Sequence, residues 1–327
     1  MLLNVDGLSV DIETQNGTLH AVQDVSFGVE KGETLCIVGE SGCGKSVTAL
    51  SLLDLLPKAA KRSARAMTFD GIDLQTLGPK GVRALRGDRM SMIFQEPMTA
   101  LNPLLTIGRQ LSDVYRAHRR ASKAQARDRA VYLLEAVGIA NAAERLKQFP
   151  HELSGGLRQR VVIAMALMCE PELIVADEPT TALDVTIQAE LLRLLGDLQK
   201  TFGMGLIMIT HDLGLVSRIA DRVMVMYAGQ AVETATAEEL FARPAHPYTR
   251  ALLGSVPDPR HPRMQPLPSI PGTVPSLFSK IERCHFMDRC AMAAEGCARP
   301  VPLQEAGPAH QARCVRIPEV LAQELPA

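Results

Sequence analysis

Gly39-Glu40-Ser41-Gly42-Cys43-Gly44-Lys45-Ser46 follows directly on the apolar run Leu35–Val38. The eight residues fit G-x-x-x-x-G-K-[ST], a loop that cradles phosphates between a buried strand and a helix. Gly39, Gly42 and Gly44 permit backbone angles that wrap successive N–H groups round a phosphate with no side chain in the way. Lys45 opens a predicted helix over Lys45–Leu56, whose dipole favours the anion while the ammonium reaches the outer phosphates. The Ser46 hydroxyl is a hard oxygen ligand suited to Mg²⁺. Together with Glu40, Ser41, Cys43 and Val47, these residues form the predicted nucleotide-binding site.

Further strand signals lie downstream of the loop. Leu173–Ala176, Leu206–Thr210 and Val223–Tyr227, like Thr34–Val38, read as fully buried strands. The runs at 34, 173 and 206 are each followed by a turn and a helical pattern, which predicts parallel strands with crossover helices. The opening segments Leu2–Ile12 and Ala21–Val29 alternate apolar and polar residues, as expected of half-exposed antiparallel sheet. Between Pro97 and Ala166 the pattern is mostly helical, and its basic run Arg116–Arg129 reads as a solvated helix face.

The strand at 173 ends in Asp177-Glu178-Pro179. Carboxylates at the carboxyl end of a parallel strand sit where open α/β sheets bind ligands. Asp177 is placed to hold Mg²⁺ through a water, and Glu178 to orient and deprotonate an attacking water. His211, after the next strand, is a predicted γ-phosphate contact. The Gln95 amide, after Met90–Phe94, is a candidate for Mg²⁺ or for the attacking water.

Composition narrows the class. The 327 residues imply roughly two domains at about 150 residues each. Lys plus Arg is 35 against 36 Asp plus Glu, for a net charge of −1, which argues against a chain devoted to nucleic acid. No stretch approaches the ~20 apolar residues needed to span a bilayer; Val161–Cys169 is cut short by Glu170 and Pro171. The N-terminus has no basic n-region and meets an acid at Asp6, so no signal peptide is predicted and the chain is expected to stay in the cytoplasm, joining a membrane only through a partner.

Leu153-Ser154-Gly155-Gly156-Leu157 resembles the LSGGQ signature of ATP-binding-cassette (ABC) ATPases. The order phosphate loop, Gln95, signature, Asp177-Glu178, Thr181-Ala182-Leu183-Asp184, His211 reproduces that family's set over roughly residues 2–240. Physically the signature is a second anion-binding helix start, with Ser154 as cap and Gly155 and Gly156 exposing N–H groups. The resemblance implies that Ser154, Gly155 and Gly156 face the γ-phosphate of ATP held by another subunit's phosphate loop, so that hydrolysis needs a dimer. Two departures stand out. The fifth signature residue is Leu157 rather than Gln. The family's adenine-stacking aromatic is also missing, since no Phe, Tyr or Trp occurs from Met1 to Ser26, which leaves His20 or Leu19 as substitutes.

Of the 21 Pro, 14 lie after Phe241, as do four of the seven Cys. So many prolines forbid long helices and central strands in the tail. Something other than an apolar core is then needed to hold it. Cys284-x5-Cys290-x6-Cys297-x16-Cys314 could gather four thiolates round an iron–sulfur cluster or a structural zinc, or remain unbound thiols. Zinc sites usually contain a close C-x2–4-C pair, and none is present. The stretches Phe241–Leu253 and Ile270-Pro271-Gly272, with Phe94–Pro103 in the cassette, resemble ATPase subunits of dipeptide and oligopeptide importers of the D type. That resemblance implies a [4Fe–4S] cluster on the four cysteines.

The expected architecture is an α/β P-loop ABC cassette over residues 1–240. It comprises a RecA-like core, an antiparallel β subdomain and a helical subdomain at about 97–165. An irregular, Pro-rich, metal-bound extension over 241–327 completes the chain. The resemblance implies an ATP- and Mg²⁺-dependent peptide-import motor at the inner face of a bacterial membrane. Its expected partners are a second, homologous ATPase, two transmembrane permeases and an extracytoplasmic peptide-binding protein. Nickel, glutathione or another small solute is the alternative cargo. A soluble ABC protein acting on ribosomes or DNA is the rival class, and the chain has neither the second cassette nor the heptads nor the basic excess expected of one.

Overall fold

The computed structural model describes residues 1–96, 100–180, 184–255 and 269–323. Strands β1 (Leu3–Thr14) and β2 (Gly17–Val29) open the chain, and the wholly buried β3 (Thr34–Val38) leads into α1 (Lys45–Leu52). β4 (Ala60–Ser63), β5 (Ala66–Phe69), the two-residue β6 (Ile72–Asp73), α2 (Gly78–Leu85) and β7 (Met90–Ile93) follow. Next come α3 (Ile107–His118), α4 (Lys123–Ala136), α5 (Ala142–Arg145) and α6 (Gly155–Ala166). β8 (Leu173–Asp177), α7 (Val185–Phe202), β9 (Gly205–Ile209), α8 (Leu213–Ile219), β10 (Arg222–Tyr227) and β11 (Gln230–Thr236) come after them. The tail carries α9 (Ala237–Ala242), α10 (Pro247–Gly254), β12 (Gln304–Gly307), β13 (His310–Ala312) and α11 (Ile317–Leu321). Pro97, where the helical pattern was expected to begin, and Thr181–Leu183 of the family set lie outside the described residues.

The chain divides into two compact units, one of Met1–Leu2, Val29–Glu33 and Phe69–Ile209, the other of Leu3–Gly28, Thr34–Thr68 and Thr210 onward. In the first, β7, β8 and β9 pair in parallel, Met90 opposite Leu173 and Leu173 opposite Gly205. Every residue of β8 and β9 is buried, which is why both read as unbroken apolar runs. Ile107 and Leu111 of α3, Leu133 and Leu134 of α4 and Val161 and Ile163 of α6 are buried in the same unit.

The basic run is only partly a solvated face. Arg129 donates to the carbonyls of Leu167 and Met168, and Arg119 to that of Cys169. Both cations therefore cap the carboxyl end of α6, where orphan carbonyls and the helix dipole favour positive charge.

In the second unit, β3 pairs in parallel with β10, and β10 pairs antiparallel with β11. β1 pairs antiparallel with β4, Ser9 opposite Ser63. α1 stops at Leu52, short of the predicted Leu56, because Asp54 turns the chain at φ 53° and Pro57 cannot continue a helix.

The tail is attached by means the composition did not reveal. β13 pairs antiparallel with β11, Glu233 opposite Ala312, and β12 follows it as a short polar edge. Ala245, Ala312, Cys314, Ile317 and Val320 form a small buried apolar cluster. The Phe286 ring packs edge-on against Tyr227 and Tyr248, at 5.2 and 5.3 Å between centroids.

The expected metal-bound extension is corrected by the structure. Among the described residues no group of three or more His, Cys, Asp or Glu side chains is arranged to hold a metal ion. Cys284, Cys290, Cys297 and Cys314 are free thiols, the last two buried. Desolvation, aided by neighbouring cysteines, pushes Cys284 and Cys314 up to about 11 and raises Cys290, so the free thiols are held protonated. Neither a [4Fe–4S] cluster nor zinc fits, and sheet pairing with side-chain packing holds the tail instead.

Candidate functional site

The phosphate loop is a close backbone structure. Gly39 (φ 150°) and Gly44 (φ 101°) hold angles that L side chains rarely adopt. A Cβ on Gly39 would lie 2.1 Å from the Met226 carbonyl oxygen, and one on Gly44 2.5 Å from that of Ala21. Lys45 is buried inside the loop, its Nζ donating to the carbonyls of Gly39 (2.8 Å) and Glu40 (3.1 Å). Ser41 and Gly42 are exposed at the tip, and Ser46 and Val47 are half-buried in the first turn of α1. The strand–loop–helix order gives the cradle of backbone donors, oriented dipole and cation that a triphosphate requires. Cys43 is turned inward and buried, and desolvation raises its thiol pKa against the lowering pull of Lys45. It is poorly placed to react with thiol reagents.

The acidic pair stands at the carboxyl end of β8. Asp177 is buried, and Glu178 follows at φ 44°. A non-glycine residue in this left-handed region carries a cost of about 1–3 kcal/mol that persists only where the surroundings enforce it. Here the Glu178 N–H donates to the Ile209 carbonyl at 3.0 Å. Gln95 is brought to the same place: its Nε2 donates to Glu178 Oε2 at 3.1 Å. Sequence reasoning gave the attacking water to Glu178 and, as an alternative to Mg²⁺, to Gln95; the direct bond between the two side chains is seen only in the structure.

The signature is a helix start, as its residues predict. Ser154 caps α6, its Oγ accepting the Leu157 N–H at 3.4 Å, while Ser154 and Gly155 are exposed and Gly156 is half-buried. His211 is exposed, and the preceding Thr210 donates its N–H to the Ile37 carbonyl of β3 at 3.3 Å, which sets His211 beside the strand feeding the loop. His20 is half-buried, with its Nδ1 2.6 Å from Asp11 Oδ1 and its N–H on the Leu277 carbonyl.

Three residues at the loop escaped the sequence reading. Tyr248 and Arg289, from the tail, bond to Glu40, and Gly229 bonds to the Cys43 carbonyl. Only tertiary contact reveals them, since they lie far from the loop in sequence.

Residues 22–181 match the family described as ABC transporter, and residues 232–297 the oligopeptide/dipeptide transporter C-terminal region. The chain is 51% identical to the probable peptide ABC transporter ATP-binding protein y4tR of Sinorhizobium fredii, over 98% of its own length and 96% of that protein's. It belongs to the ABC transporter ATP-binding subunits of the oligopeptide/dipeptide type.

Another relative of this ATP-binding subunit, the dipeptide transport ATP-binding protein DppD of Bacillus subtilis, is 51% identical over 93% of the chain and 90% of its own. Among solved structures, the dimeric ATP-binding cassette MJ0796, in a post-hydrolysis state with ADP and Pi, aligns at TM-score 0.64 and 25% identity. It covers 72% of this chain and 98% of its own. The structure of cbiO1 from Clostridium perfringens, part of the ABC transporter complex cbiONQ, aligns at TM-score 0.63 and 28% identity, over 74% and 90% of the two chains. An ATP-binding subunit of this family binds and hydrolyses ATP as part of a multi-subunit transporter. Among the described residues no helix is long and apolar enough to cross a membrane.

Proposed function

We propose that this subunit hydrolyses ATP to power import of di- and oligopeptides. The observation that carries the reading is a twofold match. The cassette aligns with ABC ATPases, and the tail aligns with the C-terminal region of oligopeptide/dipeptide transporters. The full-length relatives are a probable peptide and a dipeptide transport protein.

In this reading Gly39, Glu40, Ser41, Gly42, Cys43, Gly44, Lys45, Ser46 and Val47 cradle the phosphates. Ser46 and Gln95 would supply oxygen ligands for Mg²⁺ and Asp177 would hold it through a water; the ion, when bound, offsets charge on the transferring phosphoryl group. These hard donors suit that ion. Glu178 takes the proton of the attacking water, held for the task by Gln95, and His211 contacts the γ-phosphate. Ser154, Gly155 and Gly156 complete the site of a second, homologous ATPase. Two permeases and an extracytoplasmic binding protein form the rest of the complex, so the subunit works from the cytoplasmic face. The domain division at about residue 240 belongs to the same reading.

Vanadate trapping of the assembled transporter tests the shared seam. The expected structure has Lys45 on one ADP–vanadate and Ser154 on the vanadate held by the partner's loop; Ser154 facing solvent in the trapped state overturns it. Cargo is tested by uptake in cells whose only copy is the Glu178→Gln variant. Loss of radiolabelled dipeptide uptake is expected. Intact dipeptide uptake with loss of nickel or glutathione uptake would replace the peptide reading.

A further inference from the structure

We infer that Arg289 and Tyr248, both from the tail, are positioning residues of the phosphate loop, acting through Glu40. The inference rests on the nucleotide reading of that loop. Arg289 is almost wholly buried and grips the Glu40 carboxylate with both arms, Nη1 to Oε2 at 2.7 Å and Nη2 to Oε1 at 3.1 Å. Its remaining donors are taken by the Ile270 and Pro271 carbonyls and the Tyr227 hydroxyl. The guanidinium is therefore saturated and fixed, as a bidentate fork should be to hold a carboxylate in one place.

The backbone of the same residue is held as well. The Glu40 N–H donates to the Tyr248 hydroxyl at 2.9 Å, and the fully buried Tyr248 ring lies 4.6 Å from that of Tyr227. Lys45 donates to the Glu40 carbonyl. A third anchor works at Cys43, whose carbonyl accepts the Gly229 N–H at 3.1 Å. The neighbouring Ala228 carbonyl lies 2.8 Å from Nδ1 of His285, again from the tail.

The charge arrangement shows why this is more than bracing. Glu40 places a carboxylate in a loop built to receive a triphosphate, and like charges at such range repel. Arg289 cancels that charge and pins it to one side. Without the arginine, the loop would meet its substrate with an unpaired anion on Glu40 whose side chain is no longer pinned, although Tyr248 and Lys45 still hold the backbone of that residue.

Mg²⁺–ADP titration of the full-length chain, alongside its melting temperature, is the test. Arg289→Ala should weaken binding about tenfold, within the usual range for coupling between distant groups. Glu40→Gln added to it should recover most of the loss, because the unpaired carboxylate is gone. In the assembled transporter Arg289→Ala should raise KM for ATP with kcat little changed, a split that a purely structural role would not produce.

Unchanged affinity in Arg289→Ala overturns the proposal, and so does a double variant as weak as the single one. If Arg289→Ala fails to fold, Arg289→Lys keeps the charge and loses the fork. Weaker ADP binding at an unaltered melting temperature then supports the clamp, and unaltered binding overturns it. Lys45→Ala separates the two readings: wild-type ADP affinity in that variant removes the nucleotide assignment itself, whereas its loss beside an unaffected Arg289→Ala removes only the clamp.

Discussion

Glu233 of β11 and His310 of β13 meet at 2.7 Å, Oε1 to Nε2, with both side chains out of solvent. The same carboxylate accepts the backbone N–H groups of Ala245 (2.6 Å) and His246 (2.9 Å). One buried acid thereby ties the last cassette strand to two separate segments of the tail. Glu233→Ala should cost about 3–5 kcal/mol, since it leaves three buried donors unmatched. Differential scanning calorimetry of the full chain should show a clear fall in melting temperature, while Glu319→Ala at the exposed Arg316 pair should change stability by less than about 1 kcal/mol.

Acid should loosen the tail first. Burial depresses His246 to about 3 from an ordinary 6.5, outweighing a backbone hydrogen bond at Arg313 that favours the charged form, and burial lowers His285 too. A base depressed in the folded state stays neutral there while the unfolded chain takes up a proton. Stability is thus full above about pH 6.5 and falls as pH drops toward 3, by up to about 1.4 kcal/mol per unit per group. Melts between pH 7.5 and 5 should follow this slope, and His246→Asn, whose amide oxygen can still cap α10, should flatten it.

Glu178→Gln should bind Mg²⁺–ATP with near-normal affinity and lose turnover by about 10²–10⁴-fold, the usual contribution of a general base. Gln95→Ala should lower kcat by less, because it removes a group that orients Glu178 and helps to hold Mg²⁺ but leaves the base itself in place. Steady-state phosphate release checks both, and wild-type turnover in Glu178→Gln would reassign the base.

Gly44→Ala should abolish nucleotide binding without unfolding the core. Its Cβ would sit 2.5 Å from the Ala21 carbonyl oxygen at φ 101°, so the loop must shift by enough to spoil the phosphate cradle. Strain of about 1–3 kcal/mol accompanies such a residue. Equilibrium dialysis with ATP, beside circular dichroism, separates lost binding from lost fold.

Thiol chemistry should follow burial rather than motif. Cys36 is pushed up to about 12 by desolvation, and Cys43 is raised as well, so both should resist iodoacetamide in the native protein. The half-buried Cys284 and Cys290 should be modified first, as read by mass spectrometry. A chelator should leave the melting temperature unchanged, and iron or zinc bound stoichiometrically to purified protein would contradict the structure.

Wherever chemistry depends on near neighbours in the chain, the sequence by itself was decisive. The glycine spacing of 39–44, the cap at Ser154 and the apolar runs of β3, β8 and β9 each specify a local conformation through backbone sterics, helix-end donors or continuous burial. Those three features were enough to place the phosphate loop, the signature helix and the carboxylates at a strand end. Only the tertiary structure decided that Gln95 meets Glu178, that Arg289 grips Glu40, and that β13 extends the sheet beside β11 where a metal had been expected. The physical reason is that such contacts join residues scores to hundreds of positions apart. Their formation depends on packing and on the pairing of buried polar groups, which no local pattern encodes. Cysteine spacing shows the same limit from the other side: four thiols at suggestive intervals reveal nothing of the geometry that would let them share an ion.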